Sequence, residues 1–246
     1  MLKKILFYSL ILIAVSIGCV LAFTDVPGRV ANPEADGGIK YNVVVEGSRT
    51  LIIGEYISIG SGVLISEDGL IVTAKHVVKH ADSVRITLYD GRIFDANKWY
   101  EDPKNDVAII DLPIEVNEYT ILTDSNEIKS GDRIYNIGNV RGIWDNTIIY
   151  GKVHRTGFKR LMLGRDCEFI FATKMDIAPG CSGGGVYRGD DLIGIVVMRS
   201  PGATFIIPSN ICNKAVEDYR CQQKRLPKPN IDSCKGWLPG LFDFLE

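Results

Sequence analysis

From residue 42 onward the chain is a series of short apolar runs broken by glycine-, aspartate- and asparagine-rich punctuation. Asn42–Glu46, Leu51–Ile53, Ser61–Ile65, Leu70–Thr73, Ser83–Tyr89 and Val107–Leu112 each carry the β-branched and aromatic residues of a strand. Between them stand turn signals such as Glu67-Asp68-Gly69 and Asp90-Gly91. A second set follows at Arg133–Ile137, Thr147–Val153, Glu168–Thr173, Gly184–Tyr187, Leu192–Met198 and Thr204–Ile207. Helical periodicity appears only over about Ser209–Gln223, where Ser209 or Asn210 is placed to cap a helix. Two runs of about six strands without interspersed helices predict an all-β fold of two packed antiparallel barrels, joined around Thr123–Lys129.

The first 23 residues follow a different pattern. Lys3 and Lys4 precede an uncharged stretch from Ile5 to Phe23, nineteen residues long, with small residues at its exit. That order reads as a secretory signal cleaved after Ala22, or as an uncleaved membrane anchor, since nineteen residues nearly span a bilayer. Lipidation at Cys19 is a weaker reading, because Ser16 sits where a branched apolar residue is wanted. In each case the lysines stay cytoplasmic and the rest is exported. The expected location is therefore periplasmic, extracellular or membrane-anchored on the extracytoplasmic side.

Composition narrows the function classes. The 246 residues are 46% hydrophobic and 24% charged, with a net charge of −2, which suits a folded chain and argues against disorder. Losing residues 1–23 removes two lysines and no acids and takes the charge from −2 to −4. An acidic chain is poorly suited to nucleic acid, whose phosphates want a basic face. With three histidines a multi-His metal centre is hard to build, and no metal or organic cofactor is expected. Beyond the leader stand Cys167, Cys181, Cys212, Cys221 and Cys234; Cys221–Cys234 is a pairing that an oxidising compartment would permit, although spacing does not set connectivity.

Three segments carry candidate chemistry. Thr73-Ala74-Lys75-His76-Val77-Val78 is a strand end entering a short helical turn. Asn105-Asp106-Val107-Ala108 puts an acid at the mouth of a buried strand. Pro179-Gly180-Cys181-Ser182-Gly183-Gly184-Gly185 holds a serine in a glycine-rich turn. Nucleophilic serine catalysis needs this set: a base for the hydroxyl proton, an acid to hold the base's tautomer, and backbone donors for the oxyanion. Each segment alone has an ordinary structural reading; together, in this order and in these strand contexts, they point to catalysis. Zinc at His76 and His80 lacks the glutamate of a His-Glu-x-x-His site, because Val77 stands there. His154 has no evident partner and reads as structural or exposed.

These blocks resemble the signatures of chymotrypsin-fold serine proteases. Ser61-Gly62-Val63-Leu64-Ile65-Ser66-Glu67-Asp68-Gly69, Tyr135-Asn136-Ile137-Gly138-Asn139 and Phe205-Ile206-Ile207-Pro208-Ser209-Asn210 are similar to the HtrA/Deg branch, over about residues 58 to 215. The resemblance implies two packed antiparallel six-stranded Greek-key barrels with a short C-terminal helix and tail. The expected layout is a leader or anchor at 1–23, a linker at 24–45, a protease domain at 46–215 and a tail at 216–246. Within the domain, barrel one covers about 46–123 and barrel two about 130–208.

The resemblance also implies roles. Ser182 attacks the scissile carbonyl of a protein or peptide substrate, His76 is the base, Asp106 orients it, and the Gly180-Cys181-Ser182 backbone forms the oxyanion hole. Cys181 stands where trypsin-like zymogens keep an aspartate for a freed N-terminus, so activation by that ion pair is not expected; a free thiol or a disulfide with Cys167 is. Cys181 itself is one place out of register to be a nucleophile. Val197, Met198 and Arg199 would face the specificity pocket. Asp176, six residues before Ser182, would direct cleavage after Lys or Arg unless Arg199 neutralises it and leaves a preference for small or medium aliphatic residues. Members of the branch usually append PDZ domains, for which no pattern is found in this sequence, and often trimerise; residues 24–45 show no motif that forces a homo-oligomer. The rival reading from another class is a protease-fold binding or chaperone-like protein whose active-site loops rest in an inactive arrangement.

Overall fold

The computed structural model describes residues 36–140, 146–162 and 165–223. The leader, Cys19, Cys234, the tail from 224 and the side chain of Cys167 lie outside the described residues. A single turn, α1 (Asp36–Ile39), leads into β1 (Asn42–Thr50), β2 (Glu55–Leu64), β3 (Leu70–Thr73), the short helix α2 (Lys75–Val78), β4 (Ser83–Thr87), β5 (Ile93–Ala96), β6 (Lys98–Glu101) and β7 (Ala108–Asp111). After a 3-10 turn at Ser125–Glu127 come β8 (Arg133–Gly138), β9 (Thr147–Met162), β10 (Arg165–Thr173), β11 (Gly185–Arg188), β12 (Asp191–Ser200), β13 (Ala203–Pro208) and α3 (Ser209–Gln222).

The expected pair of antiparallel β units is present. The second is a closed barrel in the order β10-β13-β12-β11-β8-β9. The first is a barrel-like sheet of seven strands rather than six, ordered β5-β4-β1-β2-β3-β7-β6. The additional strands, β5 and β6, are its edges; they bury few side chains, so no clean apolar run marked them. The expected strand at Leu51–Ile53 is instead the tip of the β1–β2 hairpin. The Leu51 N–H donates to Gly54 O at 2.9 Å, and Gly54 takes φ +87°, a turn conformation open to glycine. Turn geometry overrode β propensity there and left Ile52 and Ile53 almost fully exposed.

Strands β3 and β7 of the first sheet are buried along their whole length, which explains why they read as unbroken apolar runs. One apolar cluster runs from Val43, Ile71 and Ile110 into Ile137, Leu192 and Ile207, so the two β units share a core. A second cluster, including Ile134, Ile170, Val186 and Ile206, fills the closed barrel.

Helix α3 packs against β7, β12 and β13 and so bridges the two units. Its expected caps serve another purpose. Pro208 occupies the N-cap position, Ser209 Oγ donates to Thr123 O, and Asn210 Oδ1 accepts from Ser125 N–H at 3.3 Å. The helix start is thus tied to the inter-barrel connection. Near its end Tyr219 Oη donates to the buried carboxylate of Asp111 at 2.6 Å. The neighbouring Tyr100, whose ring centroid lies 6.3 Å from that of Tyr219, has its hydroxyl pKa pushed up to about 12 by burial. Cys212 is fully buried, and loss of solvation holds its thiol far above the ordinary range, hence unreactive. Cys221 is disulfide-bonded. No helix among the described residues is long and apolar enough to cross a membrane.

A hydrogen bond donated to a buried carboxylate contributes about 1.5–3 kcal/mol. Tyr219→Phe should therefore lower the urea midpoint by a corresponding amount with an unchanged slope. A shift below about 0.5 kcal/mol would mean that α3 docks through apolar contacts alone.

Candidate active site

The register of β3 and β7 brings His76 and Asp106 together. Thr73 pairs with Ala108, and continuing that antiparallel register by two residues sets Asp106 opposite Lys75, the residue before His76. Lys75 N–H accordingly donates to Asp106 O at 3.2 Å. Val77 and Val78 are buried and anchor the turn of α2, which leaves the His76 side chain 44% exposed. Asp106 uses both carboxylate oxygens on this one residue: Oδ1 accepts the His76 backbone N–H at 2.8 Å, and Oδ2 lies 2.6 Å from ring Nδ1. An ionised carboxylate only accepts, so Nδ1 carries the proton and Nε2 is left as the ring's acceptor.

Ser182 is held by a second device. Cys181 N–H donates to Ala178 O at 3.1 Å, closing a turn with Pro179 and Gly180 at its centre and Gly180 at φ +97°. Proline followed by a positive-φ glycine is the signature of a type II turn. Gly184 N–H donates to Cys181 O at 2.9 Å, while Gly183 N–H donates to Val196 O at 2.7 Å and seats the loop on β12. Among the described residues, the N–H groups of Gly180 and Ser182 donate to no protein acceptor. Those are the two donors expected of an oxyanion hole. Cys181 between them is fully buried.

The first β unit grips this turn through Ser61, a residue the sequence reading did not single out as functional. Ser61 N–H donates to Ser182 O at 2.8 Å and Ser61 Oγ donates to Gly180 O at 2.7 Å. The hydroxyl in turn accepts Asn139 N–H at 2.8 Å, Asn139 Nδ2 donates to Val43 O at 3.0 Å, and Thr73 Oγ1 donates to Ser61 O at 2.7 Å. Ser61, Thr73 and Asn139 are all buried. A signal was present: a small polar residue between Gly60 and Gly62 in an otherwise apolar strand.

Close backbone approach explains the glycines. A Cβ on Gly183 would stand 2.1 Å from Ser61 O and 2.8 Å from Ala74 N, so the loop packs onto the residue that starts the His76 turn. A Cβ on Gly60 would meet Val77 Cγ2 at 2.6 Å and Ser182 O at 2.8 Å. Ser182 is thereby set beside the His76 turn, although no hydrogen bond joins its hydroxyl to the His76 ring among the described residues. Such bonds are commonly long before substrate arrives.

The residues expected to bind substrate lie on β12 and the loop before Ser182. Val197 sits at a register shift between Val196 and Met198 and is buried; Met198 is half-buried. Arg199 and Asp176 meet at 3.1 Å, and Arg199 Nη1 also donates to Ile177 O at 2.8 Å. The Asp176 side chain is 74% exposed, so its charge is matched by Arg199 and open to solvent. His154 stacks edge-on against Phe171, with centroids 5.3 Å apart.

Comparison with known proteins agrees with this fold. The family model described as trypsin-like peptidase domain matches residues 60–195. A probable periplasmic serine endoprotease DegP-like from Marinomonas sp. is 34% identical over 180 residues, 70% of this chain and 37% of that protein. The periplasmic serine endoprotease DegP of Escherichia coli K12 is 35% identical over 166 residues, 64% of this chain and 35% of that protein. The chain spans about a third of the length of the curated relatives it matches. Among solved structures, the HtrA-type protease AlgW with a bound tripeptide aligns at a TM-score of 0.67 and 28% identity, covering 75% of this chain and 61% of that one. With a double β architecture, a His–Asp pair facing a serine turn, and these matches, the chain belongs to the trypsin-like peptidase family, on its HtrA/Deg side.

Proposed function

We propose that the chain is a serine endopeptidase that cleaves peptide bonds of exported proteins through an acyl-enzyme. His76 Nε2 takes the Ser182 hydroxyl proton as Oγ bonds to the scissile carbonyl carbon. The oxygen becomes negative and is met by the N–H groups of Gly180 and Ser182. Collapse breaks the C–N bond, and His76 delivers its proton to the leaving amine. Water, deprotonated by His76, then attacks the ester and releases Ser182. Asp106 stabilises the imidazolium through the Oδ2–Nδ1 bond. The observation that carries this reading is the pairing of a doubly held His76–Asp106 unit with a serine turn whose two flanking N–H groups are undonated. Each such donor contributes about 3–4 kcal/mol to the transition state.

The rival, a protease-fold binding protein with a resting site, requires that turn in another arrangement. A type II turn at Pro179-Gly180 favours the endopeptidase, because it swings the Gly180 N–H away from the turn's own carbonyls. The functional unit is assigned to residues 46–215. Placement outside the cytoplasm is supported by the basic-then-apolar start and by the periplasmic relatives. The Arg199–Asp176 pair favours aliphatic over basic residues before the cut.

Three outcomes are expected. A fluorophosphonate probe should add one label per chain, seen by intact mass. Ser182→Ala should abolish labelling and lower kcat by on the order of 10⁴-fold or more; a folded wild-type chain that takes no label would favour the resting-site protein. Ser61→Ala releases the Gly180 carbonyl and should lower kcat about 10- to 100-fold with KM within about twofold. Binding of a peptide boronate should weaken in parallel, whereas a merely structural serine would lower only the melting temperature. A digest of a peptide library should show no enrichment of Lys or Arg before the cut; enrichment would give Asp176 back its role as an acidic pocket base.

A further inference from the structure

Beside His76, on the side of the first β unit, lies a recess of about 240 Å³ lined by two cationic side chains, Arg49 and Lys79, and two hydroxyls, those of Tyr56 and Ser58. Arg49 from β1, and Lys79 and His80 from the end of α2, surround it together with the ring of Tyr56 and the edge of His76. Arg49, Lys79 and His80 are exposed and form no salt bridge among the described residues. No acidic side chain lines the recess. Glu46 and Glu55 alternate onto the opposite face of the β1–β2 hairpin from Arg49 and Tyr56. Two further acids stand close in the fold but do not line it: Asp82 turns Oδ2 to Thr50 N–H at 2.8 Å, and Asp106 is engaged with the His76 ring at 2.6 Å. Arg49 and Lys79 thus place two unpaired formal charges around one hollow, and His80 adds an imidazole beside them, on a chain with net charge −2. They create a local positive potential next to the reacting histidine.

The backbone beside the recess offers an open strand edge. Ser61 directs its N–H to Ser182 O, on the side of β2 away from β1. By alternation Ile59 and Ile57 point their N–H and C=O groups the same way, and β3 pairs only with Gly62–Leu64. An extended peptide leaving the serine turn can add to that edge as a strand, with alternate side chains falling over Arg49, Tyr56 and Lys79. In the proposed reaction the acyl half of the substrate is held by the Gly180–Ser182 turn and β12, in the closed barrel. His76 protonates the leaving amine, so the leaving half continues onto this side.

We propose that the recess formed by Arg49, Tyr56, Lys79 and His80 is a leaving-side subsite that selects an acidic residue one to three positions after the scissile bond. The inference rests on the endopeptidase reading and adds to it a substrate class: extended segments with Asp or Glu shortly after the cut.

The test uses the whole chain and internally quenched peptides built on a cut site mapped by the library digest, with Glu, Gln or Lys at each of the three following positions. Glu should exceed Lys in kcat/KM by about 5- to 20-fold at one or two positions at low salt, as expected for several partly screened charge contacts acting together. The ratio should shrink severalfold in about 0.5 M NaCl. Because Arg49 and Lys79 are exposed, the double variant Arg49→Glu, Lys79→Glu should fold, and it should reverse the ratio; the ratio cancels any general loss of rate. A Glu-to-Lys ratio within twofold, or a preference unchanged in the double variant, overturns the subsite while leaving the endopeptidase standing. Absence of both cleavage and Ser182 labelling overturns both.

Discussion

Ser61 reaches across from the first β unit and holds the serine turn by two carbonyls, Gly180 O through its hydroxyl and Ser182 O through its backbone N–H. Most of the site depends on this grip. The carbonyls it captures lie on either side of Cys181, so the peptide planes around Ser182 cannot rotate independently. The hydroxyl serves both ways, donating its one proton to Gly180 O and accepting Asn139 N–H through a lone pair. Asn139 is tied in turn to Val43, so strand β1, strand β2 and the end of β8 all enter one buried network. A buried network of this kind is rigid when every member is satisfied, and costly to break at any single point.

The glycines complete what the hydrogen bonds begin. Gly183 and Gly60 each sit where a Cβ would strike backbone atoms of the opposing unit, so the two halves approach more closely than side chains would permit. That proximity, rather than a direct bond between Ser182 and His76, sets the distance across the cleft. On the far side Asp106 uses both oxygens to fix His76, one on the main chain and one on the ring. The ring orientation therefore follows the β3–β7 register, and the register follows from two strands buried on both faces.

Charge is distributed unequally around this centre. Toward β12 the formal charges of Asp176 and Arg199 are matched to each other. Toward the β1–β2 hairpin Arg49 and Lys79 have no acidic partner among the described residues. In the proposed reaction a substrate lying across the cleft would meet a balanced surface on one side and a positive one on the other, an asymmetry suited to holding an extended segment in one direction.

Much of this was legible in the chain itself. The apolar runs marked eleven of the thirteen strands in outline, β3 and β7 most plainly, because burial on both faces leaves an unbroken pattern. His76, Asp106 and Ser182 stood out because reactive side chains sit beside diagnostic glycines and strand ends. Edge strands β5 and β6 were hidden because edges bury little, and Leu51–Ile53 misled because aliphatic residues at a hairpin tip look the same as those in a strand. Local pattern along the chain was therefore enough for the β architecture and for the candidate reactive groups. The tertiary structure alone decided that Ser61 would hold the serine turn and that Arg49 would join Lys79 and His80. Those contacts link residues far apart in the chain, and no local periodicity records which distant atoms will meet across two packed sheets.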